Sequence, residues 1–496
     1  MILSISSFIV NSFWVGTGAL VTRFSSFLVL PFLARLLGPT ELGLYNLIQA
    51  TIQAADGLAN VGADVSIHRN GAQYGVSKPE ALGRLFGVGA CLIISSGLII
   101  ATLLWITKRQ IATQWLGDSR VELWLTWASI IVFIQIAGNP AWLYMLALKA
   151  FREFAIRQSV IAISSIILSC TLTLFFGLSG AIISLLVIAL INLIIGWYLA
   201  LLILRKNNIF LRINNFLHES LTIFKLGFPF YFSNAFNYFI SLPLLGYVGQ
   251  TSGFDQLGYL RVAQSLSQFI TFLPTVIAPV IISELSINLI KDPIIYRRNK
   301  SFHLRTLWFI LLLVTLLISI SLEHLIPLLF GLKYSNAIPL SRLTIWIAAI
   351  TSLYGIFNQY LVCIGNTIII SSIQIFGAFI NLVLAIVLIP NLGSMGFLIA
   401  QFLSVVIIAF LYLKPSLDDI KDDNKKILYL SLLTMAFMLC TFGIPFIFKD
   451  RWINTIIFSF IFIFTSINSY QFLFLEDERS YIYLKLSQYF KLSQLP

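Results

Sequence analysis

Apolar stretches long enough to cross a membrane recur along the whole of this 496-residue chain. An α-helix rises 1.5 Å per residue, so about 20 apolar residues span the hydrocarbon core of a bilayer. At that length the chain predicts about 14 transmembrane helices, an all-α polytopic membrane protein and no sizeable soluble domain. The predicted spans lie near residues 8–34, 42–64, 83–107, 122–147, 154–176, 179–204, 221–248, 256–287, 304–329, 338–363, 367–390, 394–413, 427–448 and 452–474.

The composition excludes the soluble classes. Hydrophobic residues make up 58% of the chain and charged residues only 10%, whereas soluble domains have about 45–50% and about 25%. The net charge of +12 is explained by topology, because cytoplasmic loops of membrane proteins collect Lys and Arg. No basic run is interleaved with aromatic residues, so nucleic acid is not an expected partner.

The distribution of basic residues predicts the orientation. The connections after helices 2, 4, 6, 8, 10 and 12, together with the C-terminal tail, hold 22 Lys and Arg, and the opposite side holds eight. This bias predicts cytoplasmic N- and C-termini in a multi-pass cell membrane protein. Only Arg23 and Arg261 are left after these 30 are counted, and both lie inside predicted spans.

An internal repeat divides the chain. At an offset of 215 residues, Gly38-Pro39-Thr40-Glu41-Leu42-Gly43 returns as Gly253-Phe254-Asp255-Gln256-Leu257-Gly258, while Gln49 and Gln53 return as Gln264 and Gln268. An offset of six helices gives two lobes of the same orientation, an arrangement common in transporters. Chance similarity between two Leu- and Gly-rich segments is the alternative. The predicted parts are an N-lobe of helices 1–6 (1–204), an interlobe linker (205–224), a C-lobe of helices 7–12 (225–413), a cytoplasmic loop (414–426), helices 13 and 14 (427–474) and a cytoplasmic tail (475–496).

Two connections are short enough to predict tight hairpins between adjacent helices. They are Gly177-Leu178-Ser179 and Pro390-Asn391-Leu392-Gly393.

Polar side chains form stripes on the first two helices of each lobe. In helix 2, Tyr45, Gln49, Gln53, Asp56, Asn60 and Asp64 fall within an arc of about 100°. Helix 8 aligns Arg261, Gln264 and Gln268, helix 7 aligns Asn234 and Asn237, and helix 1 carries Arg23. Such residues normally face a protein interior or a watery cavity, since lipid cannot solvate them. Hydrogen bonding that only holds the bundle together is the alternative.

Two arginines at membrane depth favour an anionic ligand. The planar guanidinium stays charged and donates two parallel hydrogen bonds to a phosphate. We therefore predict a substrate site formed by Arg23, Arg261, Gln49, Gln53, Gln264, Gln268, Asn234 and Asn237. Asp56 either pairs with Arg23 or is a proton- or sodium-linked carboxylate, and the sequence leaves both open.

Motifs of other chemistries are missing from the sequence. It has no Walker A, G-x-S-x-G or H-E-x-x-H pattern and no CxxC pair. We expect no enzymatic activity, metal or cofactor, and any coupling would be to a proton gradient, a sodium gradient or the membrane potential.

The segment Phe32-Leu33-Ala34-Arg35-Leu36-Leu37-Gly38-Pro39-Thr40-Glu41-Leu42-Gly43-Leu44-Tyr45 resembles the first-loop signature of the polysaccharide-biosynthesis (Wzx-type) flippases. These belong to the multidrug/oligosaccharidyl-lipid/polysaccharide (MOP) exporter superfamily. Gly62-Ala63-Asp64-Val65-Ser66-Ile67-His68-Arg69 is similar to the segment that closes helix 2 in that family.

The resemblance implies a bacterial inner-membrane flippase that moves an undecaprenyl-diphosphate-linked oligosaccharide to the outer leaflet by alternating access. Cationic cavity residues would receive the diphosphate-sugar, a role that maps onto Arg23 and Arg261 with Asp56 as an acidic partner. Lipid II flippases have a richer arginine cluster, which favours O-antigen (lipopolysaccharide), capsule or exopolysaccharide units here. A polymerase and a chain-length regulator of the same pathway would be partners. The alternatives are a cation-coupled multidrug exporter of the superfamily and a membrane polysaccharide polymerase.

Overall fold

The chain folds into long α-helices. A computed structural model describes residues 2–74, 78–116, 118–119, 121–291, 293–364, 367–417, 424–447 and 451–473. These residues include no β-strand, which confirms the all-α prediction. The helices are α1 (Ile2–Ala59), α2 (Ala63–Tyr74), α3 (Pro79–Gln110), α4 (Val121–Ala147), α5 (Phe151–Lys206), α6 (Phe216–Ser252), α7 (Phe254–Lys291), α8 (Pro293–Phe330), α9 (Ala337–Ile364), α10 (Thr367–Leu417), α11 (Asn424–Ile447) and α12 (Arg451–Leu473), with a π-turn at Ile111–Trp115 and a 3-10 turn at Leu332–Tyr334.

Eight helices within the described residues are long and apolar enough to cross a membrane. A helix suits that setting because it satisfies every backbone N–H and C=O internally, where no water can do so. Three elements, α1, α5 and α10, contain a glycine with non-helical backbone angles and therefore comprise two helical segments each. The total of fourteen spans stays a prediction. The tail 475–496 and part of the loop 414–426 lie outside the described residues.

Both predicted tight hairpins are present. In α5, Ser169 Oγ lies 3.1 Å from Ser184 Oγ, although 15 residues of continuous helix would separate them by about 22 Å. In α10, Ser404 Oγ donates to the Gly377 carbonyl at 2.7 Å. The chain reverses at Gly177 (φ 56°, ψ −135°) and at Gly393 (φ 56°, ψ −132°). Residues with a Cβ rarely adopt this conformation, so glycine at each turn allows the reversal.

The backbone repeats together with the sequence. Gly38 (φ 74°, ψ 175°) and Gly253 (φ 92°, ψ 159°) lie 215 residues apart. Both have a positive φ and an extended ψ, so both interrupt the helical backbone in the same way. A Cβ on Gly43 would stand 1.8 Å from the carbonyl oxygen of Phe254, and one on Gly258 would stand 2.1 Å from that of Pro39. Gly43 and Gly258 are equivalent positions of the repeat. Each contacts, in the other copy, the residue that lies four positions before the equivalent glycine. Such a reciprocal contact is the signature of a local two-fold axis, and it supports the internal repeat.

The described chain divides into two compact units. The first comprises residues 1–265, 326–340 and 368–404, and the second comprises residues 266–325, 341–367 and 405–496. Within the first unit α1 packs against α4, α5 and α6. The lobe boundaries drawn from the sequence stay predictions.

Hydrogen bonds and a buried ion pair join helices within the second unit. Trp346 Nε1 donates to Thr441 Oγ1 at 2.8 Å, and Trp308 Nε1 donates to Thr434 Oγ1 at 3.0 Å, so α11 is hydrogen-bonded to both α8 and α9. Arg342 of α9 forms an ion pair with Glu323 of α8.

The segment that leads into α6 is held across α3. The backbone N–H of Arg212 donates to the backbone carbonyl of Gly83 at 3.0 Å. The Glu219 carboxylate forms an ion pair with Arg84 at 3.5 Å. Phe210 and Leu217 of this segment are exposed, as expected if the predicted interlobe linker lies at the membrane interface.

Candidate functional site

Two cavities in the first unit share one wall. Gln49 and Gln53, one helical turn apart on α1, line both of them. We call them the Arg261 cavity and the Arg157 cavity after the arginine in each. Their volumes are about 220 and 380 Å³, respectively. Pockets that hold small ligands have about 300–1,000 Å³, so the Arg157 cavity alone falls within that range.

The Arg261 cavity holds a partly satisfied guanidinium. Arg261 Nη2 donates to Gln49 Oε1 at 2.7 Å, whereas its Nε is buried without a hydrogen-bond partner among the described residues. Buried polar atoms are normally paired, so the unpaired Nε marks a guanidinium that the described residues do not fully satisfy. The polar lining comprises Asn46, Gln49, Gln53, Tyr238, Ser241, Arg261, Gln264 and Gln401.

Helix α6 reaches this cavity because it packs tightly on α1. A Cβ on Gly57 would lie 2.1 Å from Tyr238 Cε2, so only glycine leaves room for the phenol ring. The Tyr231 hydroxyl donates to the Leu58 carbonyl at 2.9 Å. These contacts place Tyr238 and Ser241 opposite the polar stripe of α1.

The Arg157 cavity lies among α1, α4 and α5 and is rich in amides. Arg157 is 7% exposed, hydrogen-bonds to Asn192 and keeps a buried Nε without a partner among the described residues. The polar lining comprises Thr22, Gln49, Gln53, Gln135, Asn139, Arg157, Gln158 and Asn192. Six amide side chains and one guanidinium therefore face one space.

Asp56 is joined to the Arg157 cavity through Asn139. Asn139 Nδ2 donates to Asp56 Oδ1 at 2.7 Å, and Trp142 Nε1 donates to Asn139 Oδ1 at 3.3 Å. Trp142 and Asp56 together fix which way the Asn139 amide points. Protonation or cation binding at Asp56 would change the hydrogen bond that orients this lining residue.

The structure brings together part of the predicted site. Gln49, Gln53, Arg261 and Gln264 line one cavity, as the aligned stripes predict. Arg23 is half-buried and does not line either cavity, whereas its neighbour Thr22 lines the Arg157 cavity. Asn234 and Asn237 are exposed on α6 outside both linings, and Gln268 belongs to the second unit.

The polar residues of α4 and α5 are not part of the site predicted from the sequence. Arg157 lies two turns into α5, close to a basic loop, and is one of the 22 basic residues whose distribution predicts the orientation. Gln135 and Asn139 have a spacing of four, which places them on one helix face. That spacing is the signal in the sequence that could have found the Arg157 cavity.

The family model described as "Polysaccharide biosynthesis protein" matches residues 8–283, more than half of the chain. The chain belongs to this family. No curated protein matches it.

Solved structures of MOP-superfamily transporters share the fold. A lipid II flippase, MurJ, in an inward closed conformation has a TM-score of 0.67 at 15% identity, covering 91% of this chain and 98% of its own. An inward-facing multidrug resistance MATE transporter has a TM-score of 0.60 at 15% identity, covering 84% and 95%. A superfamily transporter from Pyrococcus furiosus, whose binding pocket is described as reversed in polarity, has a TM-score of 0.55 at 16% identity, covering 86% and 96%. The chain is thus a multi-pass membrane protein with the fold of membrane flippases and exporters.

Proposed function

We propose that this protein translocates an undecaprenyl-diphosphate-linked oligosaccharide from the cytoplasmic to the outer leaflet by alternating access. The observation that carries the proposal is the Arg261 guanidinium, which has a buried, unpaired Nε in a small polar cavity. A diphosphate offers only acceptor oxygens and negative charge. A guanidinium with spare donors is its natural counterpart.

The sign of the charge separates this proposal from drug export. Among the described residues that line the two cavities, arginine is the only charged type, and no carboxylate takes part. An organic cation would meet a buried positive charge without a carboxylate in the lining to compensate it, and this is costly at low dielectric. The observation that favours a cation-coupled exporter is Asp56, which binds Asn139 beside one cavity.

The proposal extends to the cargo, the membrane and the partners of the protein. Membership of the polysaccharide biosynthesis family favours O-antigen, capsule or exopolysaccharide repeat units as cargo. The lipid tail would stay in the bilayer of a bacterial inner membrane, with both termini cytoplasmic as the basic residues predict. A polymerase and a chain-length regulator would act on the exported units. The protein would perform no bond chemistry of its own.

Asp56 is the proposed coupling residue. Its carboxylate is held by an amide rather than by the guanidinium of either cavity, so it can exchange a proton or a sodium ion without breaking an ion pair with one of them. Because Asn139 binds Asp56 and lines the Arg157 cavity, a charge change at Asp56 would alter that lining. No cofactor is needed for such a cycle.

The central experiment measures export in cells whose own copy of the gene is deleted. Arg261→Ala and the double variant with Arg23→Ala are expected to lower surface polysaccharide about tenfold or more, because hydrogen bonds to charged groups contribute about 1.5–3 kcal/mol each. The matched control is Arg205→Ala, which removes an exposed arginine at the end of α5. All variants are first checked for equal abundance in the membrane.

Surface polysaccharide at the wild-type level in the double variant would refute the Arg261 site. Resistance to organic cations on expression, with polysaccharide unaffected by deletion, would favour the multidrug exporter. Short polymers with normal export of single units would favour a polymerase.

A further inference from the structure

The Arg157 cavity differs in chemistry from the Arg261 cavity. Its six amides present donors and acceptors in equal measure around a single guanidinium. A phosphate has only acceptor atoms, so it would leave the amide carbonyls unmatched. A sugar hydroxyl both donates and accepts, as an amide does.

We propose that the Arg157 cavity binds the first one or two sugar rings of the glycan, while the diphosphate lies in the Arg261 cavity. This inference rests on the proposed function and adds to it a separate glycan subsite. The specificity of the protein for its oligosaccharide would then be set by Gln135, Asn139, Arg157, Gln158 and Asn192, which line only the Arg157 cavity.

Two polar side chains of this cavity pack against glycines. A Cβ on Gly196 would lie 3.4 Å from Arg157 Nε, and one on Gly18 would lie 2.5 Å from Gln158 Oε1. Both of these polar atoms are buried without a hydrogen-bond partner among the described residues. Leaving a buried donor and a buried acceptor unpaired is costly. Hydroxyl groups both donate and accept, so they match both kinds of atom.

The size and walls of the cavity also fit sugar rings. Its 380 Å³ is within the range of about 300–1,000 Å³ for small-ligand pockets and suits a mono- or disaccharide better than a whole repeat unit. The non-polar lining is aliphatic and includes Ile131, Leu185 and Ile188. Such a wall can cover the C–H face of a pyranose while the amides bind its edge.

The shared wall joins the two subsites. Gln49 and Gln53 line both cavities, and Gln49 accepts the hydrogen bond from Arg261. A sugar attached directly to a diphosphate would therefore contact Gln49 from one side and its phosphate would contact Arg261 from the other. In the proposed binding mode, one substrate molecule would occupy both cavities, with its first sugar and its diphosphate on the two sides of Gln49 and Gln53.

The test uses the purified full-length protein in lipid nanodiscs and lipid-free probes. Saturation-transfer NMR titrations follow the methyl glycosides of glucose, galactose, N-acetylglucosamine and glucuronic acid, and a separate titration follows inorganic diphosphate. The variants are Arg157→Gln, which removes the charge, and Ile188→Trp, which fills the cavity without removing a polar group. Ile194→Trp, at an exposed position of α5, is the control for the second variant.

Wild-type protein and Ile194→Trp are expected to bind at least one glycoside saturably, whereas Arg157→Gln and Ile188→Trp weaken it about tenfold or more. Arg261→Ala is expected to lose diphosphate and keep the glycoside. Wild-type protein that binds no glycoside, or glycoside affinity unchanged in both cavity variants, would overturn the inference. Failure of the proposed function gives a different result. In that case Arg261→Ala would bind diphosphate and export polysaccharide as the wild type does.

Discussion

The reciprocal glycine contact gives a prediction whose size can be worked out from the structure. Alanine at Gly43 would place its Cβ 1.8 Å from the Phe254 carbonyl oxygen, and alanine at Gly258 would place one 2.1 Å from that of Pro39. Ordinary contacts begin near 3.4 Å, so a backbone must retreat by roughly 1.3–1.6 Å in a closely packed interior. Backbone carbonyls cannot rotate away as a side chain would.

We expect Gly43→Ala and Gly258→Ala each to destabilise the protein by about 1–3 kcal/mol or more, the cost of overpacking. The higher helix propensity of alanine offsets at most about 1 kcal/mol of this loss. Gly355→Ala is the matched control, because among the described residues a Cβ there would have no atom within 4 Å beyond its own helix backbone and chain neighbours. That variant is expected to be neutral or slightly stabilising.

The assay is the apparent melting temperature of the purified protein, read by fluorescence-detected size-exclusion chromatography after heating. The double variant adds a further test, since both methyl groups strain one crossing. Once a backbone has moved, the second methyl should cost less than the first, so the double variant should lose less than the two single losses together. Single variants that melt with the wild type and with Gly355→Ala would refute the contact.

Two further predictions concern charges inside the helices. Arg342→Met leaves the Glu323 carboxylate, 11% exposed at its side chain, without its guanidinium and should destabilise the protein by about 3–5 kcal/mol; adding Glu323→Gln should restore most of that loss in the same melting assay. Equal melting of the single and double variants would contradict this. Asp56→Asn should keep the fold but remove the response of transport to an imposed proton or sodium gradient, measured in proteoliposomes with Arg205→Ala as control. A variant that still responds to the gradient would exclude Asp56 as the coupling residue.

Features determined by local backbone geometry were predictable from the sequence. The hairpins at Gly177 and Gly393 follow from short connections between apolar stretches, and the structure has both. The convergence of Gln49 with Arg261 follows from polar residues repeating at helical spacing, since lipid excludes them from the outer face. Each of these features depends on the sequence of only one or two helices and not on how the other helices pack.

The Arg157 cavity was harder to predict because it is a product of tertiary packing. Arg157 and Asn192 are 35 residues apart, on opposite sides of the turn at Gly177, and meet Gln135 from α4. A lone arginine near a helix end is usually an anchor at the membrane surface, so its burial could not be read from position alone. Whether Arg157 is buried depends on which helices pack against α5.

The reciprocal contact also bears on how such a chain arose. Suppose that the two copies of the repeat were two identical, separate polypeptides. Gly43 of each would then contact the carbonyl four residues before Gly43 in the other. The contact would then be self-complementary, as in a homodimer with two-fold symmetry. The present chain keeps that geometry at Gly43 and Gly258 while its two halves have diverged in charge. Duplication and fusion of a half-length gene would produce such a chain, and fusion would free each half to acquire its own polar residues.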